Sequence, residues 1–224
     1  MKALILAAGE GRRMLPLTRD IPKPLLPVKG RSLIEHQIGK LVKNGIRDIV
    51  INHAWLGEKI EMALGDGARL GARLSYSREG QPLETAGGII RALPLLGDRP
   101  FMVVNADIWT DYPFRQLESR PQPGCLAHLV MVSNAAHHPA GDFCLGPEGL
   151  LAAKAGPGQQ TLTYSGISVF RPAFFAGLEP GFRALAPLLT AAIARQQVSG
   201  EFYGGTWQDI GTPERLRALA EGEP

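Results

Sequence analysis

The sequence has few cysteines and no long apolar run, and each absence excludes a class of protein. Two cysteines, Cys125 and Cys144, are too few for a disulfide framework and lack the spacing of a metal site. The longest apolar runs are far shorter than the roughly 20 residues that cross a bilayer. The N-terminus carries no signal-peptide pattern. These features predict a cytoplasmic protein that does not act in a membrane.

The sequence also has little excess of either charge. Its 24 Lys and Arg residues against 21 Asp and Glu leave a net charge of +3, and no basic run is longer than Arg12-Arg13. A mildly basic chain could bind nucleic acid, but a small anionic ligand explains so small an excess equally well. Because the basic residues are scattered, we predict no nucleic acid partner.

Glycine and proline are abundant, with 27 and 18 residues in a chain of 224. They follow no Gly-X-Y period, so we place them in turns and loops. The share of hydrophobic residues, 45%, is ordinary for a folded protein and excludes a disordered chain. Because no linker or internal repeat divides the chain, we predict a single domain over residues 1–224.

Short apolar runs alternate with helical patterns in the first half of the chain. The predicted strands are 3–8, 48–52, 74–77 and 101–104, and the predicted helices are 32–42, 56–64 and 85–96. The first helix begins at a capping box formed by Ser32 and Glu35. This alternation predicts right-handed crossovers around a parallel sheet.

The second half is richer in strand patterns. The predicted strands are 126–132, 150–154, 162–170 and 201–207, and the predicted helices are 185–196 and 213–220, the last with Thr212 as its N-cap. We therefore predict an α/β fold, Rossmann-like, with a mostly parallel mixed sheet flanked by helices. Residues 1–110 form its nucleotide-binding half and residues 111–224 its mixed-sheet half.

A glycine-rich segment follows the first strand, where ligands bind in open α/β sheets. Gly9 and Gly11 let backbone N–H groups approach a phosphate closely, and the arginines beside them could fork around its oxygens. The pattern alone also fits an ordinary glycine-rich turn. It lacks the lysine of a Walker A motif and the third glycine of a dinucleotide fingerprint.

Lys23 lies between two prolines, five residues after this segment. We expect Pro22, Pro24 and Pro27 to hold the backbone extended and stiff, so that Lys23 is presented in a fixed position. A lone lysine is usually a solvated surface charge. Its rigid neighbours favour a phosphate contact here.

Together these segments resemble the signature of the sugar-1-phosphate nucleotidyltransferases. The resemblance runs through Leu-Ala-Ala-Gly-Glu-Gly-Arg-Arg (6–13), Pro-Leu-Thr (16–18) and Pro-Lys-Pro-Leu-Leu-Pro-Val (22–28), with Arg12 in place of the usual threonine. It implies that Arg13 and Lys23 stabilise phosphate charge. A chain of 224 residues leaves no room for the C-terminal β-helix of larger members. The nucleotide-binding residues implied are Ala8, Gly9, Gly11, Arg12, Arg13, Lys23, Gln81 and Gly88.

Three further motifs resemble those of the same family. Leu-Glu-Thr-Ala-Gly-Gly (83–88) resembles its base-proximal segment, with Glu84 in place of a glycine, and Glu79 and Gln81 just before it fit either base contacts or a polar loop. Val-Val-Asn-Ala-Asp (103–107) and Trp-Gln-Asp-Ile-Gly-Thr-Pro (207–213) imply Asp107 and Asp209 as ligands of Mg²⁺, which prefers carboxylate oxygens.

The segment of the chain between these two aspartates, in the sugar-binding half 111–224, should hold the acceptor sugar. The resemblance implies Asn105 beside the sugar phosphate and Ser165 and Gly166 along the sugar pocket. Asp142 is a candidate for sugar hydroxyl contacts and Lys154 for a phosphate contact. We expect His53, His137 and His138 to be surface or structural residues.

The resemblance implies transfer of a nucleotidyl group from a nucleoside triphosphate to a sugar 1-phosphate, with Arg13, Lys23, Asp107 and Asp209 as catalytic residues. Among compact members, the chain looks most like those that use UTP and N-acetylmuramate 1-phosphate in peptidoglycan recycling. A GTP-dependent mannose- or heptose-1-phosphate guanylyltransferase is the alternative within the family. An inactive regulatory domain that binds nucleotide sugars is the alternative from another class. The oligomeric state is not predicted.

Overall fold

The computed structural model describes residues 1–153 and 160–222, so Lys154 lies outside the described residues. The helices are α1 (Leu33–Lys43), α2 (Gly57–Leu64), α3 (Glu84–Leu96), α4 (Ala186–Ala194) and α5 (Pro213–Glu221). The strands are β1 (Lys2–Leu6), β2 (Pro27–Val28), β3 (Arg31–Ser32), β4 (Asp48–His53), β5 (Arg73–Arg78), β6 (Phe101–Asn105), β7 (Ile108–Thr110), β8 (Ala127–Val132), β9 (Phe143–Leu145), β10 (Leu151–Ala152), β11 (Thr161–Phe170), β12 (Val198–Phe202) and β13 (Trp207–Asp209). Among these helices none is long and apolar enough to cross a bilayer.

A central mixed sheet organises the molecule. Its order is β10-β9-β11-β6-β1-β4-β5, with β8 beside β11 and β12 beside β8. Strands β6, β1, β4 and β5 are parallel, whereas β11 is antiparallel to both β6 and β8. The prediction of a mixed sheet with a parallel first half flanked by helices is confirmed.

The centre of the sheet is buried on both faces, which explains the continuous apolar runs of β1 and β6. Ala3, Leu4 and Ile5 and all of 101–104 are fully buried. One face packs against α1 and α2, and the other against α3 and α4. Helix α1 begins at its predicted capping box, where the Ser32 backbone N–H donates to Glu35 Oε2 at 2.9 Å.

A small second sheet brings distant segments together beside the carboxyl end of β6. Strand β7 pairs with β13, so that Ile108 lies opposite Asp209. One residue beyond this pair, the Ile210 N–H donates to the Asp107 carbonyl at 2.7 Å. The backbones of residues 107 and 209 therefore meet, as the two metal motifs require. Helix α5 then begins after its predicted N-cap, Thr212.

Two local predictions were wrong. Residues 201–207 do not form one strand, because β12 ends at Phe202 and β13 begins only after Gly204 and Gly205, in a different sheet. The segment around Lys23 is not extended throughout. Lys23–Leu25 form a 3₁₀ turn closed by Leu26 N–H donating to the Lys23 carbonyl at 3.1 Å, because the fixed φ of proline also suits the first turn of a helix.

Candidate active site

A cleft of about 370 Å³ opens at the carboxyl ends of β1 and β6. Its walls come from the loop after β1, the turn at Lys23, the residues that end β6, and Gly211 beside α5. The structure therefore gathers here most of the residues that the signature motifs predicted. These are Gly9, Gly11, Arg12, Arg13, Lys23, Asn105 and Asp107.

A second pocket of about 220 Å³ adjoins this cleft and shares Leu6, Gly9 and Thr85 with it. The predicted Ala8 lines it, and so does Glu79. Its other walls are the carboxyl end of β4 and the start of α3. The two cavities thus form one continuous site in which a larger, cation-lined part adjoins a smaller part.

The glycine-rich loop depends on Gly11, which has a left-handed φ of +66°. A Cβ there would lie 3.0 Å from Thr18 Cγ2 and 3.1 Å from Lys23 Cβ, so glycine is favoured by both conformation and packing. Thr18 Oγ1 donates to the Gly11 carbonyl at 2.9 Å and holds the loop closed. Both arginines of the loop are exposed; Arg12 pairs with Glu10 at 2.5 Å, whereas Arg13 extends toward Gly211.

Lys23 and Asp107 form an ion pair across the floor of the cleft. Lys23 Nζ donates to Asp107 Oδ2 at 2.5 Å. The lysine side chain is 12% exposed and the aspartate 34% exposed, so the stem of Lys23 is buried while its charge faces the cleft. At this position the Lys23 ammonium could bind a phosphate, and the Asp107 carboxylate could bind a cation that accompanies the phosphate.

Asp209 does not line the cleft but lies beside Gly211, which does, and it contacts Arg215 and His137. Its Oδ2 accepts a hydrogen bond from Arg215 Nη1, and His137 Nε2 lies 3.0 Å from its Oδ1. Although Oδ1 is buried, it accepts no hydrogen bond within the described residues. A Cβ at Gly211 would lie 2.8 Å from Asp209 Oδ2 and 3.4 Å from Arg13 Nη2, which places all these charges together.

Sequence reasoning missed Arg215 and expected only a surface or structural role for His137. Arg215 could have been found from its position in the first turn of α5, three residues after the N-cap Thr212. That turn directly follows the motif that contains Asp209. His137 comes from the loop after β8, and no sequence pattern connects that loop to Asp209. Its contact is therefore visible only in three dimensions.

A buried polar pair shapes the second pocket. Asn52 Oδ1 accepts from the Ala7 N–H at 2.9 Å, and its Nδ2 donates to Glu79 Oε1 at 2.6 Å. The other Glu79 oxygen accepts from the Leu83 N–H at 3.0 Å. Burial raises the pKa of Glu79 above its ordinary value. The pair presents a carboxyl and an amide to whatever enters the pocket.

Gly88 lies beneath this pair rather than in the pocket wall. A Cβ on Gly88 would lie 2.5 Å from Glu79 Oε1 and 2.6 Å from Asn52 Nδ2. Gln81 is exposed and, in the described part of the chain, lines neither cavity. The exposed loop at Gly80 carries its side chain into solvent, whereas Glu79 turns inward.

The predicted sugar residues are placed unevenly. Gly166 supports Asn105, because a Cβ there would lie 2.6 Å from Asn105 Nδ2. Ser165 is 1% exposed and its hydroxyl accepts from the Ile167 N–H at 3.2 Å. Asp142 accepts from the Tyr164 N–H at 2.8 Å and pairs with His138. The structure does not bring Ser165 or Asp142 to the walls of the two cavities described, because local backbone contacts hold both side chains.

Comparisons with known proteins found similar sequences and a similar fold. The family model for "Nucleotidyl transferase" matches residues 2–141. The chain is 48% identical to an N-acetylmuramate alpha-1-phosphate uridylyltransferase of Neisseria meningitidis, over 97% of the chain and 96% of that protein. It is 33% identical to a protein of the same description from Caulobacter vibrioides, over 95% and 92%. A putative glucose-1-phosphate thymidylyltransferase from Bacillus anthracis shares the fold, with a TM-score of 0.86 at 21% identity over 100% of this chain and 95% of that one.

Proposed function

The chain belongs to the nucleotidyl transferase family, and from this we propose that it transfers the uridylyl group of UTP to N-acetylmuramate 1-phosphate. The products are UDP-N-acetylmuramate and pyrophosphate. Near full-length identity of 48% to the Neisseria uridylyltransferase supports both the base and the acceptor. Because the product is an activated peptidoglycan sugar, we assign the reaction to cell-wall recycling in the cytoplasm.

One structural observation carries the reaction type. A single cleft gathers Gly9, Gly11, Arg13, Lys23 and Asp107, and a smaller pocket with room for a base adjoins it. The glycine-rich loop and the two cations suit the triphosphate, while the acceptor needs no protein nucleophile. Its own phosphate oxygen attacks the α-phosphorus. That new P–O bond forms as the bond from the α-phosphorus to the bridging oxygen breaks, and pyrophosphate leaves with the electron pair.

Asp107 and Asp209 offer two carboxylates to a divalent cation, with no cluster of three or more metal-ligating side chains among the described residues. Asp209 has a buried oxygen without a hydrogen bond in the described residues, and Asp107 presents a second carboxylate whose backbone contacts Ile210, the next residue after Asp209. Carboxylate oxygens suit Mg²⁺. In this proposal Asp107 and Asp209 hold the ion, which when bound would neutralise charge on both phosphates.

Lys23 and Arg13 would stabilise the remaining negative charge of the phosphates. Lys23, already in contact with Asp107, would turn its ammonium to the phosphates, and Arg13 stands at the opposite wall near Gly211. Both would take up the charge that develops on the departing pyrophosphate. Catalysis is thus positioning and charge stabilisation, as in other phosphoryl transfers.

Pyrophosphate release from a panel of triphosphates and sugar 1-phosphates tests the proposal. UTP with N-acetylmuramate 1-phosphate should give the highest kcat/KM. A preference for GTP with mannose or heptose 1-phosphate would refute the muramate assignment and leave nucleotidyl transfer intact. If nucleotide sugars bound but no pair released pyrophosphate, the chain would be a regulatory domain instead.

A further inference from the structure

The side chains of Arg215 and His137 converge on one carboxylate beside the cleft. Arg215 Nη1 bonds to Asp209 Oδ2 and also donates to the Asp209 carbonyl at 3.2 Å. His137 Nε2 lies 3.0 Å from Asp209 Oδ1 and 3.3 Å from Arg215 Nη1. The Arg215 side chain is 21% exposed, so its charge is only partly solvated. This cluster offers more donors than one aspartate needs.

The cluster comes from the second half of the chain and adjoins the cleft at Gly211. Apart from Gly211, the residues that line the cleft and the adjoining pocket come from the first 107 positions of the chain. Arg215 and His137 come from the other half, on α5 and on the loop after β8. A Cβ at Gly211 would lie 3.3 Å from Arg215 Nη1, so the guanidinium stands directly behind the cleft wall.

The chemistry of the acceptor supplies an anionic partner for Arg215. If Asp209 holds a divalent cation, its charge no longer serves Arg215, and a half-buried guanidinium without an anion is costly. N-acetylmuramate carries a 3-O-lactyl carboxylate, which N-acetylglucosamine lacks. A carboxylate matches the planar fork of a guanidinium.

We propose that Arg215, with His137 beside it, releases Asp209 and binds the carboxylate of the acceptor sugar, so that this pair selects the acidic sugar. This inference rests on the proposed function. Arg215 is then a specificity residue that touches the substrate. The phosphate of the acceptor is the other anion that Arg215 could meet, and since every sugar 1-phosphate has one, the two roles predict different selectivity.

The kinetic test compares two acceptors with UTP in the full-length chain. Arg215→Gln should reduce the ratio of kcat/KM for N-acetylmuramate 1-phosphate over N-acetylglucosamine 1-phosphate by about 10- to 100-fold, the usual worth of one charged hydrogen bond. Arg217→Gln is the matched control, because Arg217 is an exposed arginine on the same helix. It should leave the ratio within about twofold of the parent.

Each other result overturns the inference. Equal losses for both acceptors would mean that Arg215 binds the phosphate or positions Asp209. An unchanged ratio with unchanged rates would mean that it does neither. If the parent chain turned over neither acceptor with UTP, the proposed function itself would fail. If the parent preferred the acidic sugar and Arg215→Gln kept that preference, only the role of Arg215 would be refuted.

A binding measurement without turnover provides an independent readout. In EDTA and without nucleotide, Asp209→Asn removes the internal carboxylate that occupies Arg215. Calorimetry should show a larger gain in affinity for N-acetylmuramate 1-phosphate than for N-acetylglucosamine 1-phosphate. Adding Arg215→Gln should abolish the difference. Equal gains for both sugars would assign Arg215 to the phosphate, and melting curves must first show that each variant is folded.

Discussion

Replacing Lys23 by methionine should remove most turnover at a small cost in stability. Methionine keeps an unbranched apolar stem, and the stem is the buried part of a side chain that is 12% exposed. The change deletes the ammonium that lies 2.5 Å from Asp107 Oδ2. It therefore separates the charge of Lys23 from its packing, which an alanine substitution would not do.

The magnitudes for this variant follow from how exposed the ion pair is. Fully exposed pairs contribute about 0.2–1 kcal/mol, and breaking a buried pair costs about 3–5 kcal/mol. Asp107 is 34% exposed and can regain water, so the free energy of unfolding should fall by about 1–2 kcal/mol. Removing one donor from a developing negative charge typically costs about 10²–10³ in kcat. A stability loss of that size leaves nearly all molecules folded, since domains have about 5–15 kcal/mol.

The measurement is kcat for pyrophosphate release together with urea unfolding at the same temperature. Lys43→Met is the control, because Lys43 is an exposed lysine at the end of α1. It should leave kcat unchanged and alter the free energy of unfolding by no more than about half a kcal/mol. Turnover of Lys23→Met within threefold of the parent would refute the role of its charge. A loss of activity fully matched by a loss of folded protein would make Lys23 structural.

Two further predictions concern carboxylates. Asp107→Asn should lower kcat/KM by at least about 10³, because one of two proposed ion-binding carboxylates loses its charge, and added Mg²⁺ should no longer raise the melting temperature of the UTP complex. The bidentate contact with Arg78 lowers the pKa of Glu61 to about 2, from an ordinary value of 4.5. Because Arg78 is mostly exposed, Glu61→Gln should cost only about 1 kcal/mol at pH 7. A lowered pKa in the folded state stabilises the fold above pH 4.5, and this stabilisation is lost as the pH falls toward 2. The difference in free energy of unfolding between the parent and Glu61→Gln, measured by urea unfolding, should therefore shrink between pH 4.5 and 2.

The architecture of the first half was predictable because local signals and burial agree there. Strands β1 and β6 are continuous apolar runs buried on both faces, and α1 begins at a capping box whose two members are three residues apart. In such segments the local pattern and the tertiary environment favour the same structure. The break between β12 and β13 was missed although Gly204-Gly205 is a turn signal, because the residues on both sides of it favour strands.

The sequence predicted several residues of the candidate site but not which side chains contact one another. The motifs predicted Lys23, Asp107 and Asp209 as site residues; Lys23 and Asp107 line the cleft, and Asp209 lies beside Gly211, which also lines it. That Lys23 would contact Asp107, and Arg215 would contact Asp209, depends on side-chain directions set by a 3₁₀ turn and a helix start. Lys23 and Asp107 are 84 positions apart in the sequence, so no pattern of neighbouring residues predicts their contact.

Gly88 shows how a motif residue can act through packing, and a pair of glycine substitutions tests this. Gly39 lies inside α1, and a Cβ there would meet nothing in the described chain within 4 Å, so Gly39→Ala should stabilise the fold by about 0.5–1 kcal/mol. Gly88→Ala gains the same helix propensity but must displace Asn52 and Glu79.

The displaced side chains of Gly88→Ala are held by buried hydrogen bonds, so moving them leaves polar groups without partners. We expect a net loss of about 1–3 kcal/mol in the free energy of unfolding. Because Asn52 and Glu79 line the second pocket, affinity for UTP should fall as well. Urea unfolding and calorimetry with UTP measure the two effects, and equal stability of the two alanine variants would contradict this account of Gly88.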